Sequence, residues 1–261
     1  MPDPVRIAVI DSGVHVAHPH IDPSWLLPGF AVAKDGLLDS SDGAALDSLG
    51  HGTAVIAAIQ DQSPDALCLP VRVFHDSLRT SARALLAAVD RAVEYGVDII
   101  NLSLGTVNPA HRPLFEVAAE RALAVGTLII AAQENDGHPC YPGYLPQVLG
   151  VRPDWELPRD RFAAQQAGRE MVFCASAYPR PVPGVPPQHN LNGVSFAVAN
   201  MTGLAAKVCK RLPAEVHGRA RPETLRTLLE IAAAEQSALQ WPVKLDGMAG
   251  GDRRAMEASG N

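Results

Sequence analysis

The chain lacks several things, and each absence excludes a class of protein. No apolar run reaches the roughly 20 residues that a membrane-spanning helix needs. Basic residues are not in excess: 22 Lys and Arg stand against 28 Asp and Glu, so nothing favours a nucleic-acid partner. The one basic region, "KVCKRLPAEVHGRARPETLR", reads as a solvated helix with its flanks. Cysteine is scarce and scattered. Cys68, Cys140, Cys174 and Cys209 form no CxxC pair and read as reduced, mostly buried thiols rather than disulfides or zinc ligands. The opening "MPDPVRIAVIDSG" enters a strand pattern at once, so no secretion signal is expected. With Met1 as the natural start, the expectation is a cytoplasmic protein.

What is present is ordinary globular material. A composition 47% hydrophobic and 19% charged excludes a disordered chain. A length of 261 residues suits one large α/β domain, so residues 1–261 are read as a single domain. Short apolar runs at 5–10, 66–74, 97–104, 127–132 and 147–151 read as strands. Helical patterns lie between several of them: "GTAVIAAIQ" after His51, "SARALLAAVDRAVEYG" with Ser81 as its cap, and "PLFEVAAERALAVG". Near-continuous apolar strands separated by amphipathic helices predict a mainly parallel sheet covered by helices on both faces. The stretch "AYPRPVPGVPPQHNLNG" is a loop, because proline cannot sit in a central strand. An apolar helix follows in "VSFAVANMTGLAAKVCKRL", and another from about Pro222 to Ala234.

Ligands of such sheets bind outside the carboxyl ends of the strands. Three polar groups fall there: Asp11, the "NLSLGT" end and the "QEN" end at 133–135. Asp11 alone is a turn-former, His51 between two glycines alone is a loop histidine, and Ser195 alone is a helix cap. Together, Asp, His and Ser stand in one of three unrelated chain orders known for the same catalytic geometry. A serine nucleophile needs a base for its proton, and that imidazole needs an anion to hold its tautomer.

"AVIDSGV…HP", "GHGTAV", "IINLSLG", "AAQENDG", "YPGYLPQVLGV" and "GVSFAVANMTG" occur in the order of the landmarks of subtilisin-like serine proteases, and the chain resembles that family from Val5 to about Val208. The resemblance implies a three-layer α/β fold and endopeptidase activity through an acyl-enzyme. It implies Asp11 as the orienting carboxylate, His51 as the base, Ser195 as the nucleophile and Asn135 as the amide that completes the oxyanion hole. It assigns Ser103, Leu104 and Gly105 to the edge that bonds an extended substrate, and Glu134 to the wall of the pocket before the scissile bond.

The departures carry meaning too. The family's threonine before the nucleophile is Val194, and its later proline and histidine are Ala199 and Asn200. A glycine is replaced by Glu134, and only "QDQSPDA" follows the His51 helix, where a calcium loop is common. With Met1 as the natural start, no pro-segment is expected before Asp11. These features resemble those of compact intracellular processing proteases, so the expected substrate is a peptide or protein, such as a leader-bearing precursor. No cofactor or metal is expected, and no nucleic-acid or membrane partner. Two other functions keep the same groove: a pseudo-protease that only binds peptides, and a ligase or macrocyclase using the same triad. His15, His18 and His20 invite a metal reading, but "HP" is ordinary in the family. His138 and Cys140 invite the idea of a Cys–His pair but read as a surface loop with an incidental thiol, and Asp39, Asp42 and Asp47 read as solvated.

Overall fold

The computed structural model describes residues 3–135, 137–168 and 170–240. Strands β1 (Arg6–Asp11), β2 (Phe30–Val32) and β3 (Leu38–Asp39) precede helix α1 (His51–Gln62). Then β4 (Leu67–Arg72), α2 (Ala82–Glu94), β5 (Ile99–Leu102), α3 (Arg112–Val125) and β6 (Leu128–Ala132) alternate. A two-residue pair, β7 (Glu134–Asn135) and β8 (His138–Pro139), leads to β9 (Leu149–Asp154), β10 (Phe162–Ala167) and β11 (Glu170–Ser176). Helices α4 (Val194–Cys209) and α5 (Ala220–Gln240) follow.

The main sheet has the order β10-β11-β9-β6-β5-β1-β4-β2-β3. Its pairings are parallel except at the two ends, where β10 lies antiparallel to β11 and β3 to β2. Period-two alternation splits its apolar side chains between two layers. Ile7 and Val9 of β1 pack with α1 and α4, through Ile56, Ile59, Phe196 and Met201. Ala8 and Ile10 pack on the other face with α2 and α3, through Leu85, Val89, Phe115 and Ala119. Burial on both faces is why these strands read as unbroken apolar runs. The three-layer, mainly parallel fold is therefore present.

Local rules hold where they were legible. Ser81 Oγ accepts the Ala84 amide at 3.0 Å and caps α2. Gly126 ends α3 at a φ of 99°, a left-handed conformation that costs glycine nothing. The two strands at each end of the sheet, β10 with β11 and β2 with β3, were not read from the sequence; β2 and β3 are three and two residues long, and β10 is mixed in polarity. All four cysteines are free and buried. Burial pushes the Cys68 thiol up to about 12, and those of Cys140 and Cys209 up to about 11. Among the described residues, no helix is long and apolar enough to cross a membrane.

Candidate active site

Asp11 is the last residue of β1 and is fully buried. Its Oδ1 accepts from the Ser12 amide at 2.8 Å and from His51 Nδ1 at 2.7 Å. Its Oδ2 has no partner among the described residues. His51 is the first residue of α1, so the imidazole is carried on a helix end directly above the carboxyl end of the strand. The approach is close because Gly52 has no side chain. A Cβ there would stand 2.4 Å from the Gly13 carbonyl oxygen. The Gly52 amide also donates to Ser12 Oγ at 2.8 Å, pinning helix to strand beside the Asp–His pair.

Asp47 holds the same helix end from outside. It was expected to be solvated, and the structure corrects this: it is buried, accepting from Thr53 Oγ1 at 2.6 Å and from the amides of Leu49, Gly50 and Thr53. A carboxylate that spends its oxygens on first-turn amides gains from the positive helix end. Burial works to raise its pKa, but these hydrogen bonds outweigh burial and hold it below the usual carboxylate range. For His51, burial works to lower the pKa. The hydrogen bond and charge of Asp11, with the charge of Asp47, outweigh it and raise the pKa above the ordinary histidine value.

Ser195 is the second residue of α4, and the cap position is Gly193, with no side-chain cap bond. The serine therefore does not cap the helix. Its hydroxyl donates to the Ser103 carbonyl at 3.2 Å, and among the described residues it has no hydrogen bond to His51. The His51 ring nevertheless lies against the next residue, with its centroid 5.7 Å from that of Phe196. Phe196 and Ala197 both donate back to the Gly193 carbonyl, and among the described residues the Val194 and Ser195 amides have no partner in the first turn. Unpaired amides at a helix N-terminus are a site for negative charge.

Ser103, just past the end of β5, is tied to α4 by a network that the sequence did not disclose. Asn101 Nδ2 donates to Ser103 Oγ at 2.9 Å, and Thr202 Oγ1 donates to Asn101 Oδ1 at 2.9 Å. The available signal was Asn101 itself, a polar residue inside an apolar strand. Leu104 and Gly105 continue outward from Ser103, and a Cβ on Gly105 would stand 2.6 Å from Cys140 Sγ. Cys140 is thus packed under this edge rather than carried incidentally on a surface loop, while His138 is exposed.

Glu134 lies just past β6, its carboxylate 3.1 Å from Arg152 Nε in a charge contact. Both side chains are over a third exposed, so the pair adds little stability. The backbone of Asn135 pairs with His138 in β7 and β8, but its side chain lies outside the described residues. Asn200 is fully buried and donates to the carbonyls of Ser176 and Tyr178. It ties α4 to the strand before it and does not face the Asp–His pair. Among the described residues, no group of three or more His, Cys, Asp or Glu is placed to hold a metal ion.

A buried carboxylate on Nδ1 of an imidazole leaves Nε2 for proton transfer, with a serine and unpaired amides on the neighbouring helix. The family model that matches residues 3–160, more than half of the chain, is that of the subtilase family. The chain belongs to the subtilase family. It is a subtilisin-like serine endopeptidase by this membership. It is 24% identical over 230 residues to Subtilisin DY of Bacillus licheniformis, covering 80% of this chain and 78% of that protein. It spans only 58% and 55% of two longer relatives. Among solved structures, the prenylagaramide maturation protease PagA is 28% identical at a TM-score of 0.60, over 80% of this chain and 77% of that one. The nisin leader peptidase NisP of Lactococcus lactis shares the fold at a TM-score of 0.60 and 18% identity, over 85% of this chain and 81% of that one.

Proposed function

We propose that this subtilase is a processing endopeptidase, acting as one peptidase domain on a peptide or protein substrate such as a leader-bearing precursor. The observation that carries the catalytic part is the 2.7 Å bond between buried Asp11 and His51. With Nδ1 so engaged, Nε2 of His51 takes the proton of Ser195 as its oxygen attacks the scissile carbonyl. The same proton later goes to the leaving amine. The Ser195 hydroxyl must first turn from the Ser103 carbonyl toward His51; catalytic bonds often tighten only with substrate present. The unpaired Ser195 amide and the Asn135 side chain stabilise the oxyanion. The processing role is supported by the 28% identity to a solved maturation protease. A mass-spectrometric cleavage profile on a peptide library tests it: a few sequence-defined sites support processing, and broad cleavage opposes it. The same masses separate hydrolysis from ligation.

Asn135→Ala is expected to lower kcat by roughly 10²–10³ with little change in KM, because an oxyanion donor acts only once charge develops. Steady-state kinetics check this, and a change confined to KM removes Asn135 from the oxyanion hole. The raised pKa of His51 makes a second prediction. Only the neutral imidazole accepts a proton, so the acid limb of kcat/KM should inflect above the ordinary value of about 6.5. An inflection below it contradicts the Asp11–His51 coupling.

The segment Ser103, Leu104 and Gly105 offers the edge for the extended substrate, and Glu134 with Arg152 forms the charged wall of the pocket before the scissile bond. Glu134→Gly is therefore expected to widen the accepted set toward large apolar residues. Identical cleavage profiles for both proteins remove Glu134 from the pocket.

A further inference from the structure

Ser195 lies between two anchors on the same strip of backbone. Before it in the chain, the Gly193 amide donates to the Ala177 carbonyl at 2.9 Å. After it, the Asn200 side chain donates to the Ser176 and Tyr178 carbonyls, each at 2.9 Å. Residues 176–178, where β11 ends, therefore hold α4 on both sides of the nucleophile.

Asn200 also reaches the helix that carries His51. Its Oδ1 accepts from Gln62 Nε2 at 3.4 Å and from Arg159 Nη2 at 3.3 Å. Gln62 is the last residue of α1, and His51 is the first. Gln62 Nε2 donates as well to the Arg159 carbonyl at 2.6 Å, and its Oε1 accepts from Lys207 Nζ at 3.4 Å. Between these two contacts with α4 stands Gly203, where a Cβ would lie 2.5 Å from that of Gln62. Arg159 Nη1 donates to Asp61, the neighbour of Gln62, at 2.6 Å. Asn200 is fully buried, and both its N–H donors and both its acceptor sites are filled.

We infer that Asn200 is a positioning residue for the reaction, setting Ser195 on α4 against His51 on α1, with Gln62 and Arg159 as the link between the two helices. The inference rests on the peptidase reading above and deepens it. The 12 residues of α1 make a rod of about 18 Å. A tilt of about 3° at the Gln62 end therefore moves the His51 end by about 1 Å. Apolar packing alone leaves helix crossing angles scattered by about 15–20°. Hydrogen bonds are directional, so a filled amide at the crossing holds the angle where apolar contact does not. A misplacement of about 1 Å is enough to cost about 10²-fold in rate. Among the described residues, neither Asn200 nor Gln62 bonds to Asp11 or His51, so the influence is on placement and not on the charge of the base.

The test is the rate at which a small alkyl fluorophosphonate labels the full chain. The Ser195 oxygen forms a P–O bond as the P–F bond breaks, fluoride leaves and the serine proton passes to His51. The final labelled fraction counts the molecules with a usable Ser195, and the second-order rate constant reads its alignment with His51. Asn200→Leu keeps a branched side chain and adds no charge, and Gln62→Met removes the link from α1 alone. Labelling should slow about 10- to 100-fold in Asn200→Leu and about tenfold in Gln62→Met, at an undiminished labelled fraction. The acid limb of the labelling rate should stay at its wild-type midpoint, because the Asp11–His51 bond is untouched. If Asn200→Leu does not fold, Gln62→Met decides by the same readings. A lower melting temperature or labelled fraction with an unchanged rate constant shows a purely structural role and overturns the inference. A slower rate with a shifted midpoint overturns it too, since the base and not its placement has then changed. Either result leaves the peptidase reading standing. A wild type that the probe never labels overturns the peptidase reading and this inference with it.

Discussion

Ser195→Ala is expected to abolish turnover, lowering kcat on the order of 10⁴–10⁶, as loss of a triad nucleophile does. The fold should survive. Ser195 does not cap α4, since the cap position is Gly193, and among the described residues its hydroxyl makes one hydrogen bond, to the Ser103 carbonyl. Removing one such bond costs about 1 kcal/mol. The variant should therefore keep its melting profile while losing both peptide cleavage and labelling by a fluorophosphonate. Labelling also separates a working peptidase from a peptide-binding relative that has lost turnover. Undiminished cleavage by Ser195→Ala, with contaminating protease excluded, would falsify the assignment of the nucleophile.

Asp11→Ala is expected to lower kcat on the order of 10⁴, with a second signature in pH. Asp11 Oδ1 holds His51 Nδ1 at 2.7 Å, so without it the ring has no buried acceptor to set its tautomer. The influences that raise the His51 pKa come chiefly from Asp11, and burial acts against them. With Asp11 gone, burial prevails and the His51 pKa falls. The residual activity should then rise along an acid limb at lower pH than in the wild type. The loss of kcat tests the catalytic role, and the shift tests the electrostatic cause. An acid limb that stays in place shows that some other group sets it.

Much of the site was legible in the chain because its residues sit at boundaries that leave a local trace. Asp11 ends an apolar strand, His51 opens a helix after glycine, and Ser195 opens another after a proline-rich loop. The order of such landmarks is a one-dimensional property. Asp47 shows the limit. Its neighbours "LDSLG" look like a wet loop, yet its acceptors are filled by amides and a hydroxyl up to six residues later. Cys140 shows the same limit at longer range, since its burial depends on Gly105, which no local pattern connects to it.

By itself the sequence determined the layered α/β architecture, because period-two strands buried on both faces and period-3.6 helices are written in local apolar spacing. It also determined which residue types stand at the strand ends, where chemistry can be presented. Only the tertiary structure decided that Asp11 and His51 bond, that the Ser195 hydroxyl rests on Ser103, and that Asn101 and Thr202 brace that contact. It alone placed His15, His18 and His20 with Val182 and Leu191 around one cavity. The physical reason is reach. A propensity or a cap acts over a few residues, whereas a hydrogen bond across 40 residues or a cavity wall spanning more than 160 exists only after the strands have paired and the helices have closed over them.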